Sequence, residues 1–218
     1  MKVGASFDLA AGEEKEVELY ALFTEDLMEI TEGTKASALI SATKQMGEKE
    51  ITKDFTGVIE FYNRNALSWT DDRRIASFMT AKDPEIMNFS KNVMTWMKSA
   101  RNPAIDENLQ KAMAMFEAVK NHGISYEVDP TTPFSEFSEE AAAIDFLQFP
   151  LQTLQYSSGD CDDLTTLYCT LLESVGVETA FITVPGHIYS AFALKMGPAE
   201  ARKTFLNPDE LILTDDKA

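Results

Sequence analysis

The run SSGDCDDLTTLYCTLLESVG, residues 157–176, constrains this chain more than any other stretch. Ser-Ser-Gly interrupts whatever precedes it, Gly159 or Asp160 offers a cap, and Leu164, Leu167, Leu171, Leu172 and Val175 form an apolar stripe. The spacing predicts a helix that begins beside Cys161. Two β-rich runs follow, TAFITVP and HIYSAFALK, and His187 opens the second directly after Pro-Gly. The order is helix, strand, strand, with a cysteine at the start of the helix and a histidine at the start of the last strand.

That placement has chemical consequences. Unpaired backbone N–H groups and the positive end of the helix dipole favour an anion, so a thiolate in the first turn is stabilised. The same N–H groups can hold the oxyanion of a tetrahedral intermediate. Asp160, Asp162 and Asp163 pull the other way and call for a cationic partner. The chain has two histidines. His187, at the edge of a sheet, is the better placed. His122, in KNHGISY, sits at a predicted helix C-terminus, where an imidazolium suits the dipole and no chemistry is needed. Cys169 lies in the helix interior and reads as a small buried hydrophobe. Eight residues from Cys161 on one helix, it is about 12 Å away and out of disulfide reach.

The first 62 or so residues have a different character. ASFDLA, EKEVELYALF, KASALISATKQ and FTGVIEFYN are short segments separated by Gly-Glu or Glu-Gly breaks, and Val17, Leu19, Ala21 and Phe23 fall on one face with period two. Four such strands predict a small β-sandwich or part of one, serving as an interaction or structural module. From about residue 63 the pattern is helical. Ile86, Phe89, Val93 and Met97 follow an Asp-Pro start, and Leu109, Met113, Phe116 and Val119 lie between a cap at Asp106 and a stop at Gly123. DPTTPFSEFSEEAA reads as a loop.

Composition excludes several functions. A formal net charge of −17 with no basic stripe argues against a nucleic-acid binder. No apolar run approaches the roughly 18 residues of a membrane span, and MKVGASFDLAAGEEKEVELY has no signal-peptide core. Two cysteines and two histidines match no zinc spacing, so neither a metal nor a cofactor is expected.

GDCDDLTTLYCTLLESVGVETAFITVPGHIYSAF resembles the core of the transglutaminase-like superfamily, within the papain-like cysteine-protease fold. The matching positions are Gly159, Asp160, Cys161, Asp163, Leu164, Gly176, Val177, His187 and Tyr189, and FEAVKNHGISYEVDP resembles the helix and Tyr-containing segment upstream of the cysteine in bacterial members. The resemblance covers about residues 83–195. It implies an α+β fold, with helices packed on an antiparallel sheet, over residues 66–218 behind a small Ig-like β-sandwich domain over 1–65. FYNRNALSWTDDRRIASFMTAKDP resembles the join between two such domains in large bacterial exported or envelope proteins.

The resemblance also implies a mechanism: Cys161 as nucleophile and His187 as the base that activates it and later returns the proton. The substrate class is then a protein or peptide amide. Water as acceptor gives a peptidase or amidase; a lysine amine gives a crosslinking transferase. The family's third member, an acidic residue or Asn on the strand after the histidine's, orients the imidazole. Here Asp209, Asp215 and Asp216 are the aspartates left after His187, and LILTDDKA reads as a strand ending in an Asp-Asp-Lys turn. The resemblance therefore implies a domain cut short before its third catalytic residue, or one that lacks it. Gln155 has the spacing of a papain-type oxyanion glutamine, Asp163 suits bracing of the loop, and Tyr189 suits packing beside His187. Two other readings stand: a non-catalytic module of the same fold that binds protein or glycan, and a thiol sensor that needs no histidine.

Overall fold

The computed structural model describes residues 4–129, 144–207 and 211–218. The chain divides into two compact units, Met1–Arg64 and Asn65–Ala218. The class is α+β.

In the first unit, β1 (Thr34–Met46) and β2 (Lys49–Phe61) form an antiparallel ribbon with Thr34 opposite Phe61 and Met46 opposite Lys49. Glu25–Glu29 makes a short 3-10 turn before it. Of the four segments with strand-like patterns, KASALISATKQ and FTGVIEFYN lie in the ribbon. ASFDLA and EKEVELYALF carry no strand. Period-two patterning makes a segment fit for a sheet, but the pairing needs a partner edge, and residues 5–23 are not bonded to one among the described residues.

The second unit opens with β3 (Ala66–Ser68) and a 3-10 helix, Asp72–Phe78. Helix α1 (Pro84–Met97) starts where Asp83 Oδ1 accepts from the amides of Glu85 and Ile86, with Pro84 at its first position. Helix α2 (Glu107–Asn121) is capped by Asp106, whose Oδ1 takes the amides of Asn108 and Leu109 and whose Oδ2 takes those of Lys195 and Met196. Gly123, at φ 87°, ends it in a conformation that favours glycine. The buried face of α2 is Asn108, Ala112 and Met115, while Met113 and Phe116, expected in the core, are 53% and 59% exposed. Both stripes are apolar, so periodicity alone cannot decide which faces inward.

Next come β4 (Ser125–Tyr126), β5 (Ile144–Phe146), α3 (Pro150–Tyr156), β6 (Ser158–Gly159), α4 (Cys161–Ser174), β7 (Thr179–Val184), β8 (His187–Phe192) and α5 (Pro198–Thr204). β3 pairs antiparallel with β5, β4 parallel with β6, and β7 antiparallel with β8. The loop reading of residues 129–142 falls almost wholly outside the described residues.

Helix α4 is the axis of this unit. One cluster joins Leu167, Leu171 and Leu172 to Ile86 and Val93 of α1, Ala112 and Met115 of α2, and Leu154 of α3. A second joins Cys161 to Leu67, Trp69, Ile75, Phe78, Leu147 and Ile188. Covered on both sides, α4 buries Thr165, Thr166, Cys169 and Thr170 as well as its leucines, as a helix at the centre of a domain must.

Candidate active site

Asp160 is the N-cap of α4 through its backbone, its carbonyl accepting from Leu164 N at 3.0 Å, and Cys161 is the first helical residue. The chain reaches this point through Gly159, where a Cβ would lie 2.6 Å from Asp163 Cβ and 2.9 Å from its Oδ2. A side chain before the cap would collide with the first turn, which explains glycine in GDCDD. Asp163 turns back from that turn to accept the amide of Gln148 at 2.7 Å, and so ties the strand β5 end to the helix start.

Cys161 is 7% exposed. Burial and the neighbouring Asp160 carboxylate push it up from an ordinary 9.0 to about 11, against the amides of Ile188, Cys161 and Asp162, which favour the thiolate. Desolvation outweighs the helix N-terminus, so the resting group is a thiol. The acids around it are equally confined. Asp162 is raised well above the carboxylate range by burial, by its hydrogen bond with Asp160 and by the charges of Asp160, Asp145 and Asp163. Asp163 is pushed up to about 7, chiefly by burial, with the charges of Asp160 and Asp129 adding to it. Asp145, from β5, accepts Trp69 Nε1–H at 2.8 Å within the same core. Ligand atoms of Asp160, Cys161 and Asp162 lie within 4.8 Å of one another. Asp162 and Asp160 are hydrogen-bonded to each other within this cluster.

His187 opens β8 opposite Val184, beyond the Pro185-Gly186 turn. It is exposed, and its ring stacks on Tyr189 with centroids 6.2 Å apart and planes at 26°. Ile188 between them is 1% exposed and points into the Cys161 cluster, and its carbonyl accepts Thr165 Oγ1–H at 3.4 Å. Side chains alternate along a strand. The face of β8 that meets Cys161 is therefore Ile188's, and His187 and Tyr189 share the other. Among the described residues no hydrogen bond joins Cys161 to His187.

The remaining candidates lie apart. Gln155 is exposed on α3 with no described hydrogen bond to Cys161. Asp215 and Asp216 stand in a turn closed by Thr214 N–Lys217 O at 3.0 Å, and Asp216 Oδ1 accepts the Thr214 hydroxyl. Leu211–Thr214, read as a strand, is not in one. Lys217 binds Glu178 at the open end of the β7–β8 hairpin, whereas His187 is at its closed end, roughly 16 Å away along β8. Asp209 lies outside the described residues. His122 caps α2, its Nε2 3.3 Å from Leu154 O and its ring edge-on to Phe89. Cys169 is fully buried, and burial pushes its thiol up to about 12.

Tyr126 is the tyrosine of the FEAVKNHGISYEVDP segment. It pairs with Gly159 across β4–β6, and its phenol is raised by burial and by the charges of Cys161, Asp160 and Asp162. A cavity of about 650 Å³ lies elsewhere, between α1 and α2, lined by Phe89, Val93, Trp96 and Met113 among others and by no residue of the Cys161 turn or β8.

No protein-family profile matches this chain, and no curated protein matches it. Among solved structures it is similar to a protein of Parabacteroides distasonis described as a "putative protease", at 9% identity and a TM-score of 0.35. The alignment covers 76% of this chain and 36% of that one, so this chain spans about a third of that protein's length. No helix among the described residues is long and apolar enough to cross a membrane.

Proposed function

We propose that the second unit is a cysteine-dependent amide acyl-transfer domain, a peptidase or amidase of the transglutaminase-like kind, with Cys161 as nucleophile and His187 as its base. The observation that carries this reading is the place of Cys161 at the first turn of a helix, packed in one core cluster with Ile188, the residue next to His187. In the reaction His187 takes the thiol proton as sulfur attacks the amide carbonyl. The amides of the first turn hold the oxyanion, and the imidazolium returns the proton to the leaving amine. Water then cleaves the thioester and regenerates the thiol. His187 has to reach the Cys161 face of β8 for this. It is the first residue of its strand and adjoins the Pro185-Gly186 turn.

A second reading, a non-catalytic module of this fold, is favoured by one specific observation: the thiol is buried and protonated while the imidazole faces away from it. Acylation separates the two. The full chain is incubated with p-nitrophenyl acetate and digested for mass spectrometry. The enzyme reading expects an acetyl group on the Cys161 peptide in wild type and its loss in His187→Ala. Absence of acetyl-Cys161 in wild type contradicts the enzyme and favours the module.

A further inference from the structure

Three consecutive residues at the start of α4 bring soft and hard donor atoms together inside the protein. Asp160, Cys161 and Asp162 are all buried, and one carboxylate oxygen of each aspartate and the cysteine sulfur lie within 4.8 Å of one another. The backbone closes the turn that carries them: Leu164 N donates to Asp160 O at 3.0 Å, and Asp163 N to Asp162 Oδ1 at 3.1 Å. The charges that raise Asp162 are carboxylates, those of Asp160, Asp145 and Asp163. Its hydrogen bond with Asp160 needs one proton between the two groups, since an ionised carboxylate only accepts. Like charges buried together are costly unless a proton or a cation stands among them.

Thr166 is an independent sign of a missing partner. It is fully buried, and its hydroxyl has no hydrogen-bond partner among the described residues. Such a group ordinarily marks the place of a water or an ion. Thr166 follows Asp162 by four residues and so lies on the same helix face, and helical side chains tilt toward the N-terminus. Its hydroxyl is thereby aimed at the Asp162 end of the cluster. Thr170, the other such hydroxyl of α4, is a turn farther away.

Charge and donor chemistry choose the ligand. A thiolate and two carboxylates carry three negative charges against roughly half a positive charge at the helix N-terminus, so the site favours a cation. Thiolate selects zinc over magnesium or calcium, and zinc also accepts carboxylate oxygen. Zinc binds sulfur at about 2.3 Å and carboxylate oxygen at about 2.0–2.2 Å, which sets tetrahedral donors roughly 3.5 Å apart. Donors already within 4.8 Å reach that spacing by side-chain rotation over about 1 Å.

We propose that Asp160, Cys161 and Asp162 bind a zinc-class divalent cation through Cys161 Sγ and one oxygen of each carboxylate, and that the bound ion holds the cysteine out of acyl chemistry. The fourth position is left to water. The ion replaces the thiol proton and the proton shared by the carboxyls, so the net charge of the site is unchanged. Binding stands whether or not Cys161 is a nucleophile; the silencing of acyl transfer rests on that reading.

The test uses Co2+ and Zn2+ alone as probes, on the full chain, reduced and stripped with EDTA. Wild type gains a thiolate-to-cobalt charge-transfer band in the near ultraviolet that saturates at one equivalent, and Zn2+ displaces it. Cys161→Ser abolishes the band. Asp162→Asn, which keeps the acceptor for Asp163 N, weakens Co2+ binding at least tenfold. His187→Ala keeps the band, although it removes acetyl transfer to Cys161, so failure of the metal site and failure of the enzyme reading are told apart. Alkylation of Cys161 slows at least tenfold in saturating Zn2+ and recovers with EDTA. No band in wild type overturns the proposal without recourse to any variant. A band that survives Cys161→Ser, unchanged Co2+ affinity in Asp162→Asn, or alkylation indifferent to Zn2+ overturns it as well.

Discussion

Cys161 and Ile188 share one buried cluster, so the cysteine faces the strand that carries His187 but packs with the residue next to it. Ile188 thereby does two things. It closes the core over the sulfur, and by alternation it sends His187 to the opposite side of β8. Ile188→Ala empties a fully buried site among Leu67, Trp69, Phe78 and Leu147 and is expected to cost about 2–5 kcal/mol in denaturant unfolding. The same variant uncovers Cys161, and its labelling by a neutral thiol reagent at pH 8 rises.

The acids beside the thiol set a pH dependence of definite sign. Asp163 is pushed up to about 7 in the folded state, above its unfolded value near 4. The native chain therefore binds this proton more tightly than the unfolded chain does. Its contribution to stability is fully present below pH 4 and is lost as pH rises through 7, by at most on the order of 4 kcal/mol. Asp162, raised in the same direction, adds to the trend. Urea midpoints should fall between pH 5 and pH 7.5, and Asp163→Asn should flatten that slope while keeping an acceptor for Gln148 N.

Gly159 has no room for a side chain. In Gly159→Ala the new Cβ meets the Cβ of Asp163 at 2.6 Å, so the β6 strand or the first turn of α4 must shift. A loss of about 2 kcal/mol or more is expected by chemical denaturation. Adding Asp163→Ala does not restore it, because the colliding Cβ remains. Recovery in the double variant would contradict the packing described here.

His187→Ala removes an exposed ring whose described contact is the stack on Tyr189. The thermal midpoint should stay at its wild-type value. Any chemistry lost in this variant then reports on the imidazole and not on unfolding.

Much of the second unit is legible in the sequence, for identifiable reasons. The starts of α1, α2 and α4 announce themselves because Asp83-Pro84, Asp106 and Gly159-Asp160 supply the caps and breaks that a helix start needs. Pro185-Gly186 marks the β7–β8 turn in the same way. What is not legible depends on neighbours far away in sequence. The α2 face is easily misphased because both of its stripes are apolar, and only packing against α4 selects Ala112 and Met115. The side of β8 on which His187 falls is a matter of parity, and parity is set by Ile188 entering a core built from β3, β5 and the Asp72–Phe78 turn. The pairing of Tyr126 with Gly159 is not legible because a two-residue parallel bridge leaves no periodic trace.

The most direct measurement is the pH dependence of Cys161 alkylation by iodoacetamide, in Cys169→Ser and in Cys169→Ser with His187→Ala. A thiol that titrates at about 11 is ionised only to about one part in 10⁴ at pH 7. A working Cys161–His187 pair gives labelling at pH 6–7 at least a hundredfold faster than that fraction allows, and the labelling collapses to the slow profile when the imidazole is removed. One slow profile, rising toward pH 11 and identical in both proteins, would contradict the proposed pair.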